Sequence, residues 1–117
     1  MSIEHVLAVV PVADLATAYG WYERLLGRPA DNRPMDSLAE WQVTETGWIQ
    51  LFHDTGRAGG TLLNFAVNDL DRHVSDLSSR GLAPGPIEAA NKNVRLSAIT
   101  DPDGNRITFI GNFRTKY

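Results

Sequence analysis

Two stretches of this chain repeat each other: Val12-Ala13-Asp14-Leu15 and Val67-Asn68-Asp69-Leu70. Each follows an apolar run, Val6 to Val10 in the first half and Leu62 to Val67 in the second, of the length and β-branched character of a buried strand. Each also opens a stripe at helical spacing, Leu15, Ala18, Tyr19, Tyr22, Leu25 and Leu26 first, then Leu70, His73, Val74 and Leu77. An aspartate before such a stripe accepts hydrogen bonds from the first free amides of a helix, so Asp14 and Asp69 read as N-caps. Gly27 and Gly81 close the two stripes, and Pro29 bars any continuation of the first. Chance repeats one Asp-Leu start easily. Strand, cap, stripe and closing glycine recur here in one order at nearly one offset, which marks a duplicated unit.

The rest of each half completes the unit. Residues 28–34 are polar and fit either a short edge strand or a loop, with the strand register near 28–44 left open. Runs at 38–44 and 48–53 read as strands joined at Glu45-Thr46-Gly47, the second placing Trp48, Gln50 and Phe52 on one face and Ile49, Leu51 and His53 on the other. Asp54 to Gly60 is polar and glycine-rich. In the second half, residues 84–90 and 94–100 read as strands around an Asn91-Lys92-Asn93 turn. A hairpin through Asp101-Pro102-Asp103-Gly104-Asn105 then leads to a last strand from Arg106. Pro11 is expected where pairing stops, because it has no amide to donate. The expected fold is α+β, two βαβββ modules forming a curved mixed sheet with a concave cleft and one helix per module on the outer face. The chain reads as one domain, with module one at 1–54, a linker at 55–60 and module two at 61–117.

Composition excludes several classes of function. The formal net charge is -3 with no run of Lys or Arg, so the basic footprint of a nucleic-acid binder is missing. There is no cysteine, which removes thiol nucleophiles and Cys-ligated metals. The first apolar run is too short to span a bilayer and no basic segment precedes it. A cytoplasmic protein without membrane contact is expected. No serine sits in a Gly-x-Ser-x-Gly elbow, and Gly56 to Gly60 lacks the lysine and spacing of a phosphate loop.

Taken together, the Val12 to Leu15 start, the helix ending Trp21-Tyr22-Glu23-Arg24-Leu25-Leu26-Gly27, the Val67 to Leu70 start and Asp101-Pro-Asp-Gly-Asn-Arg-Ile resemble the vicinal oxygen chelate superfamily. It includes glyoxalase I, extradiol dioxygenases and bleomycin-resistance proteins. The resemblance spans the whole chain and implies paired βαβββ modules around a concave cleft, usually in a homodimer. Metal-dependent members carry one ligand on the first and one on the last strand of each module. Those positions fall here on Leu7, Gln50, Leu62 and Thr108. One amide, one hydroxyl and two leucines do not supply the three donors a transition metal needs, so no metal and no cofactor are expected.

By strand parity the cleft is faced by His5, Leu7, Val9, Trp48, Gln50, Phe52, Leu62, Asn64, Ala66, Arg106, Thr108 and Ile110; all of these but Val9, Ala66 and Ile110 are taken as ligand-binding candidates, with Trp41 a further one. An apolar, aromatic surface with a few polar handles suits a small organic ligand. Trp48 and Phe52 would stack on it, and Arg106 would pair with a carboxylate or phosphate. His5 is the one weak candidate for acid–base chemistry, while His73 is expected at the core edge with a hydrogen bond. Trp21 lies beside the helix stripe, where a dimer contact and partly exposed packing are both expected. The favoured expectation is metal-independent binding or sequestration, as in bleomycin-resistance proteins. The alternative is a lyase, isomerase or dioxygenase with an atypical site.

Overall fold

In the computed structural model, which describes residues 1–116, the order of elements repeats. Strand β1 (Val6–Val12), helix α1 (Leu15–Leu26), β2 (Asn32–Met35), β3 (Leu38–Gln42) and β4 (Gly47–His53) make the first unit. Strand β5 (Leu62–Val67), helix α2 (Leu70–Ser79), β6 (Glu88–Ala89), β7 (Arg95–Thr100) and β8 (Arg106–Gly111) make the second. Each unit folds a four-stranded mixed sheet, in the orders β1-β4-β3-β2 and β5-β8-β7-β6, with the first strand parallel to the last. Asp14 caps α1 by accepting from the Ala16 amide, and Asp69 caps α2 by accepting from that of Arg72. Gly27 ends α1 at φ 79°, a left-handed conformation that only glycine adopts without strain. No helix among the described residues is long and apolar enough to cross a membrane.

Alternation along the strands decides which residues face the helices. Val10, Val12, Ile49, Leu51, Ala39 and Trp41 are buried on the helix side of the first sheet, and Leu63, Ile107, Phe109 and Ile99 on that of the second. The opposite, concave faces stay open. There Leu7 is 48% and Leu62 78% exposed.

The two units meet along their helix sides, around the turn before β8. Asp101, only 4% exposed, accepts hydrogen bonds from the amides of Asp103 (2.9 Å) and Asn105 (2.8 Å) and from Asn105 Nδ2 (2.8 Å). Its fourth donor is Tyr22 Oη, 2.7 Å away on α1 of the other unit. Asn105 extends the junction, donating to the Pro11 carbonyl at 3.0 Å and accepting from the amides of Gly59 and Thr61. The glycine-rich stretch before β5 is therefore clasped against the hairpin. A Cβ on Gly59, at φ +96°, would stand 2.4 Å from the Asp103 carbonyl oxygen. Arg80, just beyond α2, donates to the Arg24 and Leu25 carbonyls at the end of α1.

Several expectations need correction. Pro11 does not stop β1, which pairs as far as Val12. The Val6 amide donates to Thr46 and the Val12 carbonyl accepts from Asp54, so Pro11, of opposite parity, turns its missing donor to the open edge. Trp21 is buried edge-on against Tyr22, because the covered face of α1 is wider than the stripe read from spacing. Trp41 lies on the helix side of β3, fully buried, and lines no concave face; its indole donates to the Arg28 carbonyl at 2.9 Å. The strand expected at 84–90 shrinks to Glu88–Ala89, since Pro84 and Pro86 cannot donate to a ladder. His73 Nε2 is buried without a hydrogen-bond partner among the described residues, its ring 4.4 Å from that of Phe109.

Two predictions follow from this packing. Burial first, and then the bond to the Asp101 carboxylate, push the Tyr22 phenol far above its ordinary value of 10.0. The unfolded chain ionises it near that value while the folded protein keeps it protonated. Stability therefore falls as pH rises beyond 10, by up to about 1.4 kcal/mol per pH unit. Tyr22→Phe should remove that alkaline slope and cost about 1–3 kcal/mol at neutral pH, read by urea denaturation. His73 is shifted the other way, below its ordinary value of 6.5, by burial and then by the Arg80 charge. Its contribution is present above that value and lost on acidification, because only the unfolded chain takes up the proton. His73→Leu should flatten the loss of melting temperature below pH 6.5.

Candidate functional site

The concave face of the first sheet is built in cross-strand rows. Register sets Leu7 beside Trp48 and Trp48 beside Gln42 in one row, and Val9, Gln50, Glu40 and Asn32 across all four strands in the next. Trp48 Nε1 donates to His5 Nδ1 at 3.3 Å, the rings meeting edge-on with centroids 6.4 Å apart. A neutral imidazole that accepts at Nδ1 carries its proton on Nε2. In the second row Gln50 Nε2 donates to Glu40 Oε2 at 2.7 Å, and Asn32 Nδ2 donates to Glu40 Oε1 at 3.3 Å. His5, Leu7, Asn32, Glu40 and Trp48 line a hollow of about 280 Å³. Phe52 continues the face beside Leu38.

The second sheet repeats the plan with different chemistry. Leu62, Arg106 and Thr100 form one row, and Asn64, Thr108 and Ala98 the next. Arg106, Thr108, Thr100, Ala98 and Leu96 border a hollow of about 540 Å³. The Arg106 guanidinium is exposed and makes no hydrogen bond or ion pair among the described residues. It is thus open to an anionic group.

The nine cleft-facing candidates divide between these two faces. His5, Leu7, Trp48, Gln50 and Phe52 lie on the first, and Leu62, Asn64, Arg106 and Thr108 on the second. The residues lining the two hollows do not overlap, and β1 and β5 are both sheet edges. Glu40 was missed. Its signal was present, because Leu38, Glu40 and Gln42 alternate with the buried Ala39 and Trp41. His53, at the end of β4, is exposed.

The donor set at the four first- and last-strand positions is poor. Leu7 and Leu62 offer no donor atom, the Gln50 amide nitrogen is committed to Glu40, and Thr108 brings one hydroxyl. Gln50 Oε1 and a hydroxyl do not make the donor set of a divalent transition metal. These residues do not fit the ion that metal-dependent vicinal oxygen chelate proteins hold. Among the described residues, no group of three His, Cys, Asp or Glu is placed to hold one elsewhere.

Comparison with known proteins agrees with this architecture. A family model described as the Glyoxalase/Bleomycin resistance protein/Dioxygenase superfamily matches residues 2–109. The crystal structure of a glyoxalase/bleomycin resistance protein from Catenulispora acidiphila is similar at 32% identity and TM-score 0.86, covering 92% of this chain and 96% of that one. An antibiotic binding protein from a Streptomyces species is similar at 25% identity and TM-score 0.78, with 95% and 98% covered. A bleomycin-binding protein solved with bleomycin shares the fold at 20% identity and TM-score 0.77, with 93% and 98% covered. No curated protein matches.

Proposed function

The chain belongs to the glyoxalase/bleomycin resistance protein/dioxygenase superfamily, and from that premise we propose that it binds and sequesters a small, partly aromatic organic molecule without a metal. One observation carries this reading: Leu7 and Leu62, half to largely exposed and without a donor atom, take matching places on the first strand of each module, the places that the resemblance assigns to ligands in metal-dependent members. Trp48 and Phe52 beside them offer flat apolar surface, and His5, Gln50, Asn64, Arg106 and Thr108 offer polar handles. This is the make-up of a pocket that grips organic guests. The antibiotic-binding and bleomycin-binding neighbours support the same class of ligand.

The working unit in this proposal is a homodimer. The modules of one chain meet through their helix sides, so each concave face looks outward with an exposed leucine on an open strand edge. Apposing the first face of one copy to the second face of another covers both leucines and joins the two hollows into one groove. Burying each leucine contributes about 2 kcal/mol. An open edge strand with apolar residues is otherwise an aggregation hazard.

Tryptophan fluorescence tests the reading, with bleomycin as the first probe and planar aromatic antibiotics after it. Trp21 and Trp41 are buried, so a ligand in the groove reports through half-buried Trp48. Binding is expected in chelator-treated protein. Phe52→Ala, read by the same signal, and Trp48→Ala, which removes the reporter and is read by calorimetry, should each weaken it by about 1–3 kcal/mol. Affinity that neither substitution changes, or that appears only with added divalent metal, contradicts the proposal.

A further inference from the structure

We propose that Glu40 is a positioning residue that sets the hydrogen-bonding polarity of the first face, so that this half of the groove selects ligands carrying a hydroxyl or N–H donor. The inference rests on the groove reading above and deepens it. It starts from the row Val9, Gln50, Glu40, Asn32, which strand register places side by side. A carboxylate only accepts hydrogen bonds. The amides on either side must therefore turn their NH2 groups toward it, and they do, at 2.7 Å from Gln50 and 3.3 Å from Asn32.

That commitment decides what Gln50 presents. A free glutamine amide offers a donor or an acceptor by a simple flip. With one Nε2–H held by Glu40 the flip is barred, so Oε1, which makes no hydrogen bond among the described residues and is not buried, stays an acceptor, and the second Nε2–H keeps its own fixed direction. Gln50 is thereby an acceptor at the middle of the face, next to the apolar Val9 and one row from Trp48. A ligand group placed at Oε1 must meet it with a donor, and an acceptor there leaves two oxygens facing each other. Discrimination of this kind is strong because the mismatched pair is desolvated without a bond.

The second module shows that the device is local to the first. In the matching row, Thr108 takes the place of Gln50, Ala98 that of Glu40 and Asn64 that of Val9. Alanine cannot orient its neighbour, and a hydroxyl rotates to donate or accept. Polarity is fixed in one half of the groove and adjustable in the other.

Phenol and anisole, the same ring with and without a donor, serve as the probes, titrated against the full chain by NMR. The wild-type protein is expected to prefer phenol by about tenfold. Glu40→Gln frees the Gln50 amide, so the preference should fall to about one. The exchanged pair, Glu40→Gln with Gln50→Glu, restores a fixed acceptor at position 50 and should restore the preference. A purely structural role for Glu40 would weaken both probes alike. The Gln50 side-chain amide signals of ligand-free protein give an independent readout, and should move in Glu40→Gln. Unmoved amide signals, or a preference that survives in folded Glu40→Gln, would overturn the proposal. Phenol that shifts residues away from Trp48 contradicts the groove reading instead, while the ligand-free amide signals still report on Glu40.

Discussion

A carboxylate taken out of water has to be met by donors, and at Asp101 four of them converge. Three come from its own turn and the fourth is the phenol of Tyr22 on the helix of the other module. Leaving any of these unmade would strand charge in a nearly solvent-free site, so turn, helix and module junction are held together. Asn105 ties the same point to the Pro11 carbonyl and to the chain arriving at β5. The two modules are thereby fixed with their helix sides together. Their concave faces are left looking outward, and everything said of the groove starts from that arrangement.

How much of this was legible in the sequence depends on the range of the interaction. Period-two alternation sorted Trp48, Gln50 and Phe52 from Ile49 and Leu51, and paired aspartates and glycines marked both helices, because these signals live within a few residues. The role of Asp101 was not legible. Turn chemistry alone explains an aspartate there, and nothing local announces that Tyr22 will reach it from far along the chain. Trp21 and Trp41 were misjudged for a related reason: what packs against a residue is decided by an element distant in sequence. Glu40 is the instructive case. Its parity was readable, but its weight came from being opposite Gln50 and Asn32, which only register reveals.

The duplicated fold makes two similar open faces, and the substitutions between them give each its chemistry. Register equates Leu7 with Leu62 and Trp48 with Arg106, so one half offers an indole where the other offers a free guanidinium. The leucines keep both floors apolar. On the proposed pairing of copies, a ligand would lie against Trp48 and Phe52 of one chain and within reach of Arg106 of the other. That places an aromatic body and an anionic end in different halves of one groove. Leu7, Gln50, Leu62 and Thr108 are a poor donor set for a metal, and on the proposed reading shape, stacking and a few oriented hydrogen bonds hold the ligand instead.

The pairing itself is the claim most directly open to test. The chain has no cysteine, so single thiols introduced by Leu7→Cys and Leu62→Cys report on contact without interference. Mixing the two single variants and adding a short bifunctional maleimide should give a covalent dimer joining one variant to the other. The double variant at high dilution should give little cross-linking within one chain. Efficient cross-linking inside a single diluted chain, with none between the mixed variants, would contradict the account.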